Sequence, residues 1–597
     1  MENQRNLIWA VLLMGLLLIG WDQGVRYFYP QANKPKPVAS APASTDAAPA
    51  KPTREGGLQA PTDVALEAQD LKAALASPQR IAIDAPGLKG SINLVGGVID
   101  DLTLVRHREA LDKSSAPVRL FSPAGTPAQH FAQIGWLGAN GLAAPNGATV
   151  FTTQGGKLTP ATPVTLVWTN PTGQTFSIRY TIDQHYMISA TQSVTNAGGA
   201  PVAVQPFAFV NRTDKTASID TWQVHSGPIG AFDGSVNFAT NYKDVVAAGQ
   251  VPAAGRPNWI GFTDIYWLSA LVPADGSKPQ GDFRALGNGV FRADLVWPQE
   301  QVAPGQTQSQ TVRLFAGAKE NKILEGYEQQ GVTNLSLSID WGWFRWFEKP
   351  IFWLLDSLFR TVGNFGVAII LLTLIVRGVM FPVAQRQFAS MAAMKAIQPK
   401  VKVIQERFKE DKQKQQQEIM ALYKQEGVNP LAGCLPIFLQ IPVFFALYKV
   451  LVLTIEMRHQ PFGLWIHDLS SPDPLHVLNL FGMLPFTPPS FLAIGPLAIL
   501  LGVTMWAQFK LQPAAMDAAQ QQIMGIMPWM MMFVMAPFAA GLLIYWITSN
   551  LLTIGQQRYL YSRHPQLRAQ ADKDQQTIDR TVARDTKAPG AGKPKRR

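Results

Sequence analysis

An arginine stands deep inside one of the oiliest stretches of the chain, "GVAIILLTLIVRGVMFPVA" at 366–384, with Arg377 eleven residues past Gly366. A guanidinium at the centre of a membrane helix costs about 2.5–3.5 kcal/mol on insertion-based scales. Such a cation normally pairs with an anion at the same depth. The clearly apolar stretches of the five C-terminal segments contain no Asp or Glu, and the nearest acids, Asp356 and Glu456, belong by topology to the opposite side. At 1.5 Å per residue Arg377 lies about 16 Å from Gly366 and about 13 Å from Arg386, so reaching the headgroups strains even an arginine stem. A structural arginine that snorkels or binds carbonyls is the plainer alternative. The sharper reading is a hydrated cation in a polar hollow open to the cytoplasm and free to meet a passing negative charge. Thr373 shares its helical face, four residues earlier. Gln440 is the only amide in "CLPIFLQIPVFFALY", and Trp546 and Asn550 form an i, i+4 pair. Each of these types also bonds routinely between packed helices.

Enzymatic chemistry finds no foothold. No P-loop, G-x-S-x-G, H-E-x-x-H or dinucleotide fingerprint occurs, and the eight histidines lack metal-ligand spacing. The one cysteine, Cys434, excludes an internal disulfide and a cysteine zinc cluster. No cofactor, metal or catalytic residue is expected. Charged residues make up 16%, against the ~25% usual for soluble domains. The net charge of +11 gathers beside apolar segments, which speaks of membrane orientation and not of sequence-specific nucleic-acid binding.

Six elements must hold that arginine in place. Residues 1–29 contain "NLIWAVLLMGLLLIGW" behind Arg5, with no small-x-small cleavage site, and read as an N-terminal membrane anchor. Residues 30–62, rich in Pro, Ala and Ser, form a linker. From 63 to 335, alternating runs such as "TFSIRYTID" and "HYMISATQSVTN" are cut by turns such as "NPTGQ", which predicts an all-β sandwich outside the membrane. Residues 336–362, dense in aromatics but interrupted by Arg345, Glu348, Lys349, Asp356 and Arg360, fit an interfacial amphipathic helix. A transmembrane core follows over 363–560, with apolar segments near 363–383, 430–455, 491–509, 523–538 and 540–557. A basic tail, 561–597, closes the chain.

Direction follows from the basic residues. Segment 384–429 holds nine Lys or Arg and the chain beyond 557 holds eleven, whereas 456–490 has only Arg458. The positive-inside rule places the basic segments in the cytoplasm, with both termini there and the β-domain outside. Within 384–429 the stripe Met391, Met394, Ile397, Val401, Ile404, Phe408 predicts one arm of a helical hairpin, and "QQQEIMALYKQEG" the other. Its basic surface would attract anionic lipid. Six methionines between 524 and 535 offer a pliable apolar surface, or ordinary lipid-facing packing.

"TLIVRGVMFP", "MKAIQPK", "ALYKQEGVNPLAGCLPIFLQIPVFFALY", "FGLWIHDLS" and "TSNLLTIGQQ" together resemble the YidC/Oxa/Alb membrane protein insertases, strongly over 340–560. The layout is similar to the Gram-negative YidC type. The resemblance implies a polytopic helical inner-membrane protein of six transmembrane helices with a large periplasmic β-sandwich. Its groove, open to cytoplasm and lipid, would contain Arg377, Thr373, Gln440, Trp546 and Asn550; relatives have Tyr-Tyr where this chain has Tyr545-Trp546. It implies a substrate slide on the third and fifth spans, here Phe438, Phe445, Met527, Met530 and Met531. It further implies a cytoplasmic docking hairpin carrying Arg386, Lys395, Lys400, Lys402, Glu410 and Asp411. The partners it implies are nascent membrane proteins, the Sec translocon, the ribosome and the signal-recognition targeting machinery. "GMLPFTPPSFLAIGP" (482–496) reads as an insertion relative to that family. A secondary transporter is the main competitor, though inverted repeats and intramembrane acids are missing. A membrane-anchored carbohydrate-binding module is another.

Overall fold

The computed structural model describes residues 57–563 apart from 113, 140, 219–223, 275, 386–396, 398–399, 402, 409, 428–434, 482, 485–487, 489–491 and 512–517. The anchor at 6–21, most of the linker and the tail beyond 563 lie outside the described residues.

Strands run from Arg80 to Ala318 and build two sheets. One is eleven-stranded, with 202–213 and 130–138 at its centre; the other is nine-stranded and centred on 307–318. The strand Met187–Asn196 shows why these residues make a sandwich. It pairs antiparallel with 174–182 and 307–318, and Ile188, Ala190, Gln192 and Val194 are buried. The alternate positions carry hydroxyls that pair across the ladder, Thr191 with Thr311 at 3.1 Å and Ser193 with Ser309 at 2.8 Å. A period of two separates a dry face from a wet one. The first part of the expected β-region differs. Pro61–Leu75 is a helix, α1, because "ALEAQDLKAAL" is built from strong helix formers behind a proline at the first turn. Asp63 and Glu67 tie it to the sandwich through Lys215 and the Ala128 N–H.

Helix α2 (Asn321–Gln329) leads out of the sandwich toward α3 (Arg345–Val362), an amphipathic helix with Ile351 and Leu355 buried and Trp346 and Trp353 exposed. Next come α4 (Phe365–Val379), α5 (Lys412–Gln425), α6 (Leu435–Leu453), α7 (Pro496–Leu511), α8 (Ala518–Met535) and α9 (Ala540–Arg563). Helix α9 packs on α4, α6 and α7, and α8 packs on α7. At Gly541 a Cβ would stand 2.9 Å from the Leu451 side-chain tip of α6 and 3.2 Å from that of Ile369 of α4, so three helices meet closely there.

The loop after α6 orders these helices relative to the β-domain. Asn364, the N-cap of α4, donates to Phe462 O at 2.9 Å; Asp473 accepts the Leu497 N–H of α7; and the N–H groups of Ala540 and Gly541 reach Ser471 O and Leu469 O. The starts of α4, α7 and α9 and the end of α6 therefore share the side that carries the β-domain. The helices alternate in direction from there. Among the described residues, however, no helix is both long and apolar enough to cross a membrane. Helix α4 has 15 residues where a span needs ~20, and α9, with 24, carries Ser549, Asn550, Gln556, Gln557 and Arg558. The expected count of six spans thus has no support from helix length.

Candidate functional site

Helix α4 stops earlier than its hydropathy predicts. Pro382 has no N–H to give to Gly378 O, and α4 breaks at Val379 with Met380 as its cap before helix resumes at 381–385. Arg377 therefore falls in the last turn, where the negative end of the helix dipole favours a cation by about 0.3–1 kcal/mol. Its half-buried guanidinium turns to α9. Nε–H donates to Ser549 Oγ at 3.0 Å, and a second N–H from Nη2 reaches the same oxygen. Ser549 is buried, and among the described residues no carboxylate forms an ion pair with Arg377.

Beside it, the Gln440 amide of α6 donates to the Tyr545 hydroxyl of α9, and Tyr545 lies within electrostatic reach of Arg377. Arg377, Ser549, Tyr545 and Gln440 thus form one polar group joining α4, α6 and α9. Trp546 points elsewhere and meets Phe444 edge-on at 5.2 Å. Thr373 and Asn550 differ from the expected groove lining. Thr373 is buried and its hydroxyl returns to Ile369 O at 2.7 Å, while the Asn550 amide donates to Thr504 Oγ1 of α7 at 3.2 Å. A hydroxyl four residues after a helical carbonyl can share that acceptor and satisfy itself within its own helix.

On the apolar side Phe445, Met527 and Met531 are half-buried and Met530 is exposed; the Phe438 side chain lies outside the described residues. In the hairpin region Lys400 pairs with Glu426 at 2.6 Å, and Gln415 donates to Gln405 O at 2.8 Å, joining two antiparallel arms. Asp411 caps α5 by accepting the Lys414 N–H at 3.0 Å, and Glu410 is exposed. Arg386, Lys395 and Lys402 lie outside the described residues.

A second polar group, at the junction with the β-domain, escaped the sequence reading. Lys449, within the apolar run of α6, is buried and donates to Asp340 O at 2.8 Å. Buried Glu348 of α3 faces it, and burial pushes that carboxyl up to about 7, opposed by Lys449 and reinforced by Asp340. Glu456 accepts the Asn321 N–H at 3.0 Å and is likewise pushed up to about 7 by burial. Arg458 is buried against the sandwich, donating to Arg108 O at 2.8 Å and Glu109 O at 3.3 Å, with Trp267 beneath it. The available signal was Lys449, a second cation in an apolar segment.

Family models match nearly the whole described chain: one described as 60Kd inner membrane protein over residues 357–567, and one described as YidC periplasmic domain over 80–354. The membrane protein insertase YidC of Zymomonas mobilis subsp. mobilis is 43% identical over 567 residues, covering 94% of this chain and 96% of that one. Its counterpart in Nitrobacter hamburgensis is 42% identical over 588 residues, with 94% and 96% covered. A solved structure titled as an active YidC insertase with its first transmembrane domain resolved aligns over 80% of this chain and 92% of that one, at 17% identity and a TM-score of 0.36.

Proposed function

We propose a mechanism for a chain that belongs to the YidC family of membrane protein insertases: it moves the hydrophilic tails of nascent inner-membrane proteins across the bilayer and releases their apolar helices into lipid. The work is physical, and no bond is made or broken. A polar tail loses its water in crossing hydrocarbon, a cost of several kcal/mol per unpaired group. A wet groove around Arg377, entered from the cytoplasm, would shorten the dry path and hold acidic tail residues part-way. The client's own apolar helix would then leave along α6 and α8, past Phe438, Phe445, Met527, Met530 and Met531. Burial at about 25 cal/mol per Å² gives several kcal/mol for one span, enough to drive insertion without nucleotide.

The observation that carries this reading is the partner of Arg377. A cation held by one serine hydroxyl and a helix end, with no carboxylate paired to it among the described residues, keeps unspent attraction for a passing anion. Five helices that alternate in direction from the β-domain side fit a core crossing the membrane five times, and the segment at 6–21 would supply a sixth crossing. Both termini would be cytoplasmic and the β-domain periplasmic. The hairpin at 384–429, carrying Arg386, Lys395, Lys400, Lys402, Glu410 and Asp411, would receive the ribosome, the targeting machinery and the Sec translocon, with anionic lipid beneath it.

Reconstitution tests the electrostatic core. In proteoliposomes the Arg377→Ala protein should fail to translocate a client tail bearing acidic residues, read by protease protection, while a neutral tail crosses nearly as before. Equal translocation of both tails by the wild-type and variant proteins would refute the role of the guanidinium.

A further inference from the structure

Between α6 and α7 the described residues display apolar side chains on a hydrogen-bonded framework. From 477 to 495 there is no Asp, Glu, Lys, Arg or His. The base of the loop is anchored by Asp473, whose Oδ1 accepts from Trp465 Nε1 at 3.0 Å and from the Leu475 N–H at 3.1 Å, while Oδ2 accepts the Leu497 N–H at 3.0 Å. Above it, backbone bonds from Val477 to Ile494 O, Phe481 to His476 O and Leu484 to Asn479 O close the turn, with Asn479 buried inside. On this framework Leu478, Leu480, Phe481, Met483 and Leu484 all face outward, Met483 with 82% of its surface exposed. Leu480 (φ 50°) and Phe481 (φ 59°) adopt left-handed backbone, which is costly for such side chains and is kept only where something rewards it.

We propose that the side chains of Leu478, Leu480, Phe481, Met483 and Leu484 insert into the outer half of the lipid bilayer, as an apolar foot beside the start of α7. Two observations favour lipid over a protein partner. A protein interface has a polar rim that orients its partner, and this stretch carries no charge at all. The loop also continues an apolar belt, because just below it α7 exposes Leu500 and Val503. The inference rests on the proposal that these helices lie in a membrane.

The full-length protein tests it, with Cys434→Ser as background and a polarity-sensitive dye on Met483→Cys in phosphatidylethanolamine–phosphatidylglycerol vesicles. Emission should shift to the blue and be lost to lipids carrying a quencher on the acyl chain, and should resist aqueous iodide. Quenching by iodide alone would put the loop in water, and quenching by neither would mean that protein covers it; both overturn the proposal. The same dye on Val503→Cys separates the two layers of inference. If Val503 is quenched by lipid and Met483 is not, the loop proposal alone falls. If both are quenched by iodide, the membrane reading of the helices falls with it.

Discussion

Two arginines, one buried and one half-buried, divide the labour of this molecule. Arg458 is tied across domains: it donates to two carbonyls of the β-domain and rests on Trp267. Arg377 has a serine hydroxyl and the end of a helix. Arg458 is buried against the β-domain and Arg377 is half-buried between apolar helices, so both positions cost a cation some of its hydration. What differs is how completely the protein itself meets the charge. A cation whose terminal N–H groups are given to another domain's carbonyls is a fastener. One with donors to spare can act on something that passes.

The largest effects should come from exchanging the two roles. Arg377→Ala should lower translocation of acidic tails tenfold or more, since a lost interaction of about 1.4 kcal/mol already reads as a factor of ten. Its melting temperature should stay near that of the unaltered protein. Arg458→Ala should do the reverse, destabilising the junction by about 1–3 kcal/mol through two orphaned carbonyls while insertion per folded molecule persists. A loss of folding in the first variant, or of tail selectivity in the second, would erase the distinction.

The acids of the junction sharpen it through pH. Glu348 and Glu456 hold their protons up to about 7, against an ordinary value of 4.5. Between these values the folded chain binds protons that the unfolded chain has released. Stability is therefore fullest at the acid end and falls as pH rises from about 4.5 through about 7, by at most on the order of 3 kcal/mol for one such group. Melting of the detergent-solubilised protein from pH 5 to pH 8 should show this slope, and Glu348→Gln together with Glu456→Gln should flatten it. Arg377 lies far from both acids in the fold, so its variants should keep the wild-type slope.

Smaller effects test the neighbours. Ser549→Ala removes the hydroxyl that steers the guanidinium and should reduce insertion only a few-fold, since one such bond is worth about 0.5–1.5 kcal/mol. Thr373→Val should be nearly silent in protease-protection assays, because its hydroxyl serves its own helix at Ile369 O. A severe Thr373→Val defect would return that residue to the groove lining.

Local pattern decided a good deal. The two-residue alternation of "MISATQSVTN" specifies a strand with one dry face, and it forms one. The apolar runs after 363 specify helices, and the isolation of Arg377 is visible without coordinates. Helix ends were less legible. Pro382 breaks the helix after Val379, before helix resumes at 381–385, and so moves Arg377 to the last turn before the break.

Pairing across elements belonged to the tertiary structure alone. Ser549 stands 172 residues from Arg377, and nothing in either neighbourhood names the other. Lys449 was plain in the sequence, but its acceptor, Asp340 O, is a backbone carbonyl 109 residues away. Periodicity is set by sterics within a few residues of the chain. The meeting of distant polar groups depends on how whole helices settle against one another, as at Gly541, where α4, α6 and α9 come close.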